Sequence, residues 1–278
     1  MTPPKKIRGG ALLARALQEK GVEHVFTLSG GFCNPALEGF MECQMKVINC
    51  PHEQVAGHFA DGHTRITRKP AVCLVGPEGF ANAVQAMMEA WGERSPVIFV
   101  TGSSTLKRQG AGGFNEIDDV AIAAPLTKYS ATITDGERIN EFVDRAVKIA
   151  TNGYPWAVHL SLPVDIMFSH FAENAGRDER PFDLSMQLPA RAWPEPARLQ
   201  QLLQKLNAAK QPVLIGWHGV WWAKAEAKLE EAGRLLGIPV FNIPYHQKLL
   251  GEECEAYMGL ADIHQYHPSA DEIGRAHV

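Results

Sequence analysis

The chain has 278 residues, 45% hydrophobic and 21% charged, a balance that excludes a disordered or collagen-like protein and supplies material for one large domain or two ordinary ones. Its 27 basic and 31 acidic residues are scattered in both signs for a net charge of −4, so no electrostatic footprint for nucleic acid or an anionic membrane is present. Cys33, Cys43, Cys50, Cys73 and Cys254 form no CxxC pair and no zinc spacing, which points to reduced thiols in a cytoplasmic protein, and no apolar run approaches the ~18 residues of a membrane span.

Leu12, Leu13, Ala16 and Leu17 recur at helical spacing up to a C-capping Gly21. The short apolar strand His24 to Leu28 follows and ends at Gly30-Gly31. Val47 to Cys50, Ala71 to Val75 and Val97 to Val100 are further strands, each separated from the next by a helix-length segment, and this alternation implies a parallel sheet. A strand from Lys128 to Ile133, a helix from about Glu137 to Ala150 and the strand Trp156 to Leu162 complete the pattern. The fold expected is therefore α/β, a parallel six-stranded sheet flanked by helices over residues 1–167.

Residues 168–193 read as a linker, charged at Arg177 to Arg180 and carrying Pro181 and Pro189. A second α/β unit over 194–271 opens with a helix at Leu199 to Leu206. The strand Pro212 to Gly216, a helix from Lys224 to Leu236 closed by Gly237, and the strand Pro239 to Asn242 follow. The unit is then left with too few strands for a complete sheet, so it is expected to be a partial domain. Residues 272–278 are set apart as a tail, because Ile273 to Val278 is what one reading frame of a common sequencing-library adapter encodes; the natural sequence is expected to end, as read here, near Asp271.

Walker, nucleophile-elbow, H-E-x-x-H and acidic calcium-loop motifs are all absent. Gly30-Gly31 and Gly76-Pro77-Glu78-Gly79 follow strands, but neither completes a dinucleotide-binding fingerprint. The informative segment is Pro51 to Arg65, which leaves a strand and opens a helix, so that Glu53 stands in the first helical turn at the carboxyl edge of the sheet, where α/β ligand crevices form. A glutamate there also suits the helix dipole without any function.

Gly30-Gly31, Pro51-His52-Glu53-Gln54 with Ala60-Asp61-Gly62, Gly79 to Asn82, Gly102 and Gly113-Phe114-Asn115-Glu116 occur in an order that resembles the pyrimidine-binding domain of thiamine diphosphate enzymes, nearest to acetolactate synthase and 2-hydroxyacyl-CoA lyase. Leu162-Pro163-Val164-Asp165 resembles the end of that domain. Ala209 to Gly216 and Gly237 to Val240 resemble the start of the family's central domain.

The resemblance implies that Glu53 is the catalytic carboxyl, sharing a proton with the N1' nitrogen of the cofactor's aminopyrimidine, with Val55, Ala56 and Phe59 as its low-polarity surroundings. By the same likeness Gly30, Gly31, Gly79 and Asn82 join Glu53 in binding cofactor, and Phe32, Asn34, Phe114 and Asn115 face the substrate, a 2-keto acid or a 2-hydroxyacyl-CoA. Lys128 resembles a family Thr-Lys step, with a strand-edge charge as its plainer role. Asn115 stands where the family has Gln, and Phe168 to Phe171 resembles the lyase branch, which argues against the FAD of the biosynthetic synthases.

The resemblance assigns no metal ligand to this chain. Mg²⁺ belongs to a diphosphate-binding domain whose Gly-Asp-Gly motif is missing here, so the chain is expected to be inactive alone and to share its site with a second copy of the same subunit. A non-catalytic α/β binding or subunit-association module remains the alternative, and a nucleotide-binding oxidoreductase domain a third.

Overall fold

The computed structural model describes residues 5–176, 193–243, 249–261 and 272–275. Contacts divide the chain into two units, 1–189 and 190–278.

The first unit opens with β1 (Lys6–Arg8) and α1 (Gly9–Glu19), followed by β2 (His24–Thr27), α2 (Asn34–Glu42), β3 (Lys46–Asn49), α3 (Glu53–Thr67), β4 (Ala71–Val75), α4 (Pro77–Gly92) and β5 (Val97–Ser103). It continues through α5 (Asp119–Ala123), β6 (Ser130–Thr132), α6 (Ile139–Thr151), β7 (Val158–Pro163), α7 (Val164–Phe168) and β8 (His170–Ala172). Six of these strands form one parallel sheet in the order β3-β2-β4-β5-β7-β6. From β2 the chain steps outward to β3, then returns across β2 to β4. The winding direction thus reverses between β2 and β4, and the crevice at their carboxyl ends is the place where such sheets hold ligands.

Both faces of the sheet are covered, which explains continuous apolar strands instead of alternating ones. Val72, Leu74, Ile98, Val100 and Leu160 pack with Leu12, Leu13 and Leu17 of α1 and Phe40 of α2 on one side. Cys73, Val75, Val97 and Phe99 pack with Phe80 and Met87 of α4 on the other. Leu12, Leu13 and Leu17 are fully buried and each contributes roughly 1.5–3 kcal/mol of transfer free energy. Gly21 has φ +79°, the left-handed conformation its helix-ending position requires.

One element departs from the sequence reading. β1 and β8 form a small antiparallel sheet, Ile7 opposite Phe171, so the first unit extends past residue 167 into the segment taken as linker. Residues 177–192 of that segment, including Arg177 to Pro181 and Pro189, lie outside the described residues.

The second unit contains α8 (Pro196–Ala208), β9 (Pro212–Gly216), α9 (His218–Trp222), α10 (Glu226–Leu236), β10 (Val240–Asn242), β11 (Tyr257–Leu260) and β12 (Glu272–Arg275). Its parallel sheet runs β11-β10-β9-β12. Gly237, at φ +62°, ends α10 as its position predicts. Residues 272–275, set apart as a tail on sequence, pair with the edge of β9, whose backbone groups accept any extended chain. Trp221 is half-buried and packs against the core cluster of Val220, Leu229 and Val240 in this unit. His246, His264 and His267 lie outside the described residues. No helix among the described residues is long and apolar enough to cross a membrane.

Candidate active site

The first turn of α3 begins where β3 ends. Cys50 N–H donates to the Thr27 carbonyl at 2.7 Å, and His52 caps the helix by accepting the Gln54 N–H on Nδ1 at 3.2 Å. This puts Glu53 at the first helical position, half-buried, beside the amino end of α4. The two helices come close because position 57 is glycine: a Cβ there would lie 2.5 Å from the Cβ of Ala86.

Glu53 then reaches α4 directly. Asn82 Nδ2 donates to Glu53 Oε2 at 3.0 Å. Gly79 is the floor under the carboxyl, for a Cβ at 79 would fall 2.4 Å from Glu53 Oε1 and 2.7 Å from its Cδ. Glu53 Oε1 makes no hydrogen bond among the described residues, which leaves it able to accept or share a proton with a ligand nitrogen. The structure therefore brings together Glu53, Gly79 and Asn82.

The turn after β2 forms the other wall. Ser29 N–H donates to Asn49 Oδ1 at 3.1 Å, tying this turn to the end of β3. Nothing lies within 4 Å of where a Cβ on Gly31 would be, so its backbone is open to a ligand. Gly30 faces the Glu78 carboxylate, 3.7 Å from its Cβ position. Glu78, on the first turn of α4, is thus a second acid on the crevice rim, one that the sequence offered only within the Gly76-Pro77-Glu78-Gly79 turn. Phe32 is half-buried and seats its carbonyl on Gly102 of β5, where a Cβ would be only 2.4 Å away, while Asn34 is exposed at the start of α2.

Among the described residues no hydrogen bond or ring contact joins Phe114 or Asn115 to this group. Phe114 and Asn115 occupy the loop between β5 and α5, Phe114 76% exposed and Asn115 in the left-handed region at φ +53°. Ala56 is buried and Val55 half-buried, but Phe59 does not shelter Glu53. Six residues on, at ~100° per residue, it points to a different side of α3; it is 52% exposed, with its ring edge-on to Phe26 at 6.3 Å. Asp61 pairs with Arg65 at 3.3 Å, which also bridges to Glu93, so this part of the motif joins α3 to the residue after α4. Lys128 donates to the carbonyls of Asn152 and Tyr154 and secures the loop after α6, a structural role.

A buried polar group lies behind α4. His159 of β7 is fully buried between Thr101 Oγ1 and Ser130 Oγ, each at 2.9 Å, with the Phe80 ring 5.1 Å away. Burial drives its imidazole down to about 3, so it is neutral at ordinary pH. Ser130 also donates to the Val120 carbonyl, so it accepts from Nδ1–H of His159, and Thr101 donates to Nε2.

Comparison with known proteins matches residues 7–122 to the N-terminal TPP binding domain of the thiamine pyrophosphate enzymes, the same cofactor as thiamine diphosphate, and residues 199–277 to their central domain. The chain is 33% identical over 239 residues to a probable acetolactate synthase of Mycobacterium bovis, covering 86% of this chain and 43% of that protein. It is 29% identical to 2-hydroxyacyl-CoA lyase 2 of Caenorhabditis elegans, covering 89% and 43%. The chain thus spans less than half the length of these relatives. Its fold is similar to that of a thiamine diphosphate-dependent 4-hydroxybenzoylformate decarboxylase of Rhodococcus jostii, with a TM-score of 0.79 at 22% identity over 91% of this chain and 47% of that one.

Proposed function

We propose, for a chain that belongs to the thiamine pyrophosphate enzyme family through its N-terminal and central domains, that it supplies the aminopyrimidine half of the active site of a carboligase or lyase acting on 2-keto acids or 2-hydroxyacyl-CoA. The observation that carries this reading is the Glu53 carboxyl, held by Asn82 over Gly79 at the carboxyl edge of the sheet, with one oxygen free for a ligand.

The residues present suit the pyrimidine end of thiamine diphosphate: an available carboxyl oxygen for a ring nitrogen, and open backbone at Gly31 against which a flat ring can lie. When bound, that cofactor supplies a carbon nucleophile and an electron sink for making or breaking the bond next to a carbonyl. Glu53 holds a proton at Oε1 against the ring nitrogen and exchanges it there, general acid–base work for a fixed carboxyl. Asn82 fixes the other oxygen, so the carboxyl cannot swing away. Phe32, Asn34, Phe114 and Asn115 line the approach of the substrate. Mg²⁺ and the diphosphate would be held by a diphosphate-binding domain outside these 278 residues, at a site shared between two subunits, and the lyase-like segment Phe168 to Phe171 argues against FAD.

Self-association is supported by large apolar residues on the outer faces of α3 and α4, and a cytoplasmic location by five free thiols. The test combines this chain with a diphosphate-binding domain, in one polypeptide or two, with Mg²⁺, and measures cofactor-dependent consumption of a 2-keto acid. Turnover that disappears in Glu53→Gln with an unchanged circular dichroism spectrum is the result expected. Wild-type rates in that variant overturn the assignment.

A further inference from the structure

The segment from Ser104 to Asp118, between β5 and α5, has only one short helical turn, at Leu106–Arg108, yet its backbone is tied down at several points. Both oxygens of Asp165 take amides at its start, Leu106 N–H at 3.0 Å and Lys107 N–H at 3.3 Å. At its end Asp118 caps α5 by accepting the Ala121 N–H at 2.9 Å. In the middle stands Glu116. One of its carboxylate oxygens accepts the Gly110 N–H and the other the Gly113 N–H, the latter at 2.7 Å.

The chain can wrap around one carboxylate because Gly110 and Gly112 are left-handed, at φ +82° and +72°, and Asn115 follows at +53°. Ordering each loop residue costs about 1–2 kcal/mol of conformational entropy, so an exposed loop with this shape needs bonds that hold it. Charge-assisted bonds from backbone N–H to carboxylate are the strong kind, and those from Gly110 and Gly113 hold Glu116 below the usual carboxylate range. The residues wrapped against this knot are Phe114 and Asn115; Ser104 Oγ adds a 3.3 Å bond to the Phe114 carbonyl.

We propose that Glu116 is a positioning residue, whose carboxylate folds the loop so that Phe114 and Asn115 are presented to the substrate. The proposal rests on the substrate-facing reading of those two residues. A glutamine at 116 keeps the length but has one accepting oxygen, and its NH₂ meets an N–H donor where the second bond was.

Two measurements test it. In the 278-residue chain at neutral pH, hydrogen exchange by NMR should show Gly110 and Gly113 protected, with protection falling at least tenfold in Glu116→Gln and returning in part in Glu116→Asp. Amide resonances of the β-sheet should stay unchanged. In the assembled enzyme, Glu116→Gln should raise KM for the 2-keto acid about tenfold with kcat within twofold. Equal exchange in wild type and Glu116→Gln overturns the proposal, as does an unchanged KM despite lost protection. Protection as expected in an assembled wild type that has no cofactor-dependent turnover instead overturns the reading of the reaction, and the presentation of substrate falls with it.

Discussion

The Glu53 carboxyl occupies the space that a side chain at Gly79 would need, with Oε1 only 2.4 Å from the Cβ position. Position 79 lies within α4, where alanine is favoured over glycine by about 1 kcal/mol. Gly79→Ala is therefore expected to keep or raise the thermal midpoint while displacing Glu53 and cutting cofactor-dependent turnover at least a hundredfold. A fall in turnover that tracks a loss of folded protein would mean that Gly79 serves packing alone.

Asn82 gives a second, charge-based test. Its amide donates to Glu53 Oε2 at 3.0 Å, and Asn82→Asp puts a carboxylate where the donor was. Two carboxylates at that separation cannot both ionise easily, so the pair takes up a proton at higher pH than a lone glutamate. The alkaline limb of the pH–rate profile, where Glu53 gives up the proton it holds, should move upward by about one pH unit or more in Asn82→Asp, and Asn82→Ala should lower kcat/KM about tenfold without that displacement. Superimposable profiles for Asn82→Asp and wild type would remove the contact from the mechanism.

The sheet and the place of Glu53 were legible because they depend on local signals: apolar runs of strand length, and a polar residue opening a helix directly after one of them. What Glu53 touches was not. Gly57 reads as a helix-weakening residue until Ala86 is found against it, 29 positions away. The β1–β8 pair escaped for a related reason, since three-residue strands separated by most of the unit carry no periodicity of their own. Phe59, set beside Glu53 along with Val55 and Ala56, stands on another side of the helix, while Ala56 and Gly57 share the side of Glu53. In the Gly113 to Glu116 motif the likeness drew attention to Phe114 and Asn115, while the carboxylate that shapes them stood next in line.

His159 makes stability depend on pH in a definite direction. It is fully buried and neutral, lowered to about 3 from an unfolded value near 6.5, so between those values the unfolded chain binds the extra proton. Its contribution is complete above about pH 6.5 and is lost as the pH falls toward 3, at up to about 1.4 kcal/mol per unit. The urea midpoint of the 278-residue chain should decline from pH 7 to pH 5, and more steeply than in His159→Gln, which carries no titrating group. Parallel declines in the two proteins would show that other groups cause the acid sensitivity.

The outer faces of α3 and α4 present Phe59 at 52%, Ile66 at 80% and Met88 at 53% exposure. Phe59 and Ile66 are seven residues apart, two helical turns, and so lie on one side of α3. On the same two helices Gln54, His58 and Gln85 are joined to one another: Gln54 Nε2 donates to Gln85 Oε1 at 2.8 Å, and His58 Nε2 stands 2.6 Å from the same oxygen. Exposed large apolar side chains are covered at a net gain on association. Sedimentation of the assembled protein should give at least a dimer, and Ile66→Glu combined with Met88→Glu should shift it to monomer with the circular dichroism spectrum retained, since neither side chain is part of the core. A monomeric wild type, or a double variant that still dimerises, would place the contact on another face.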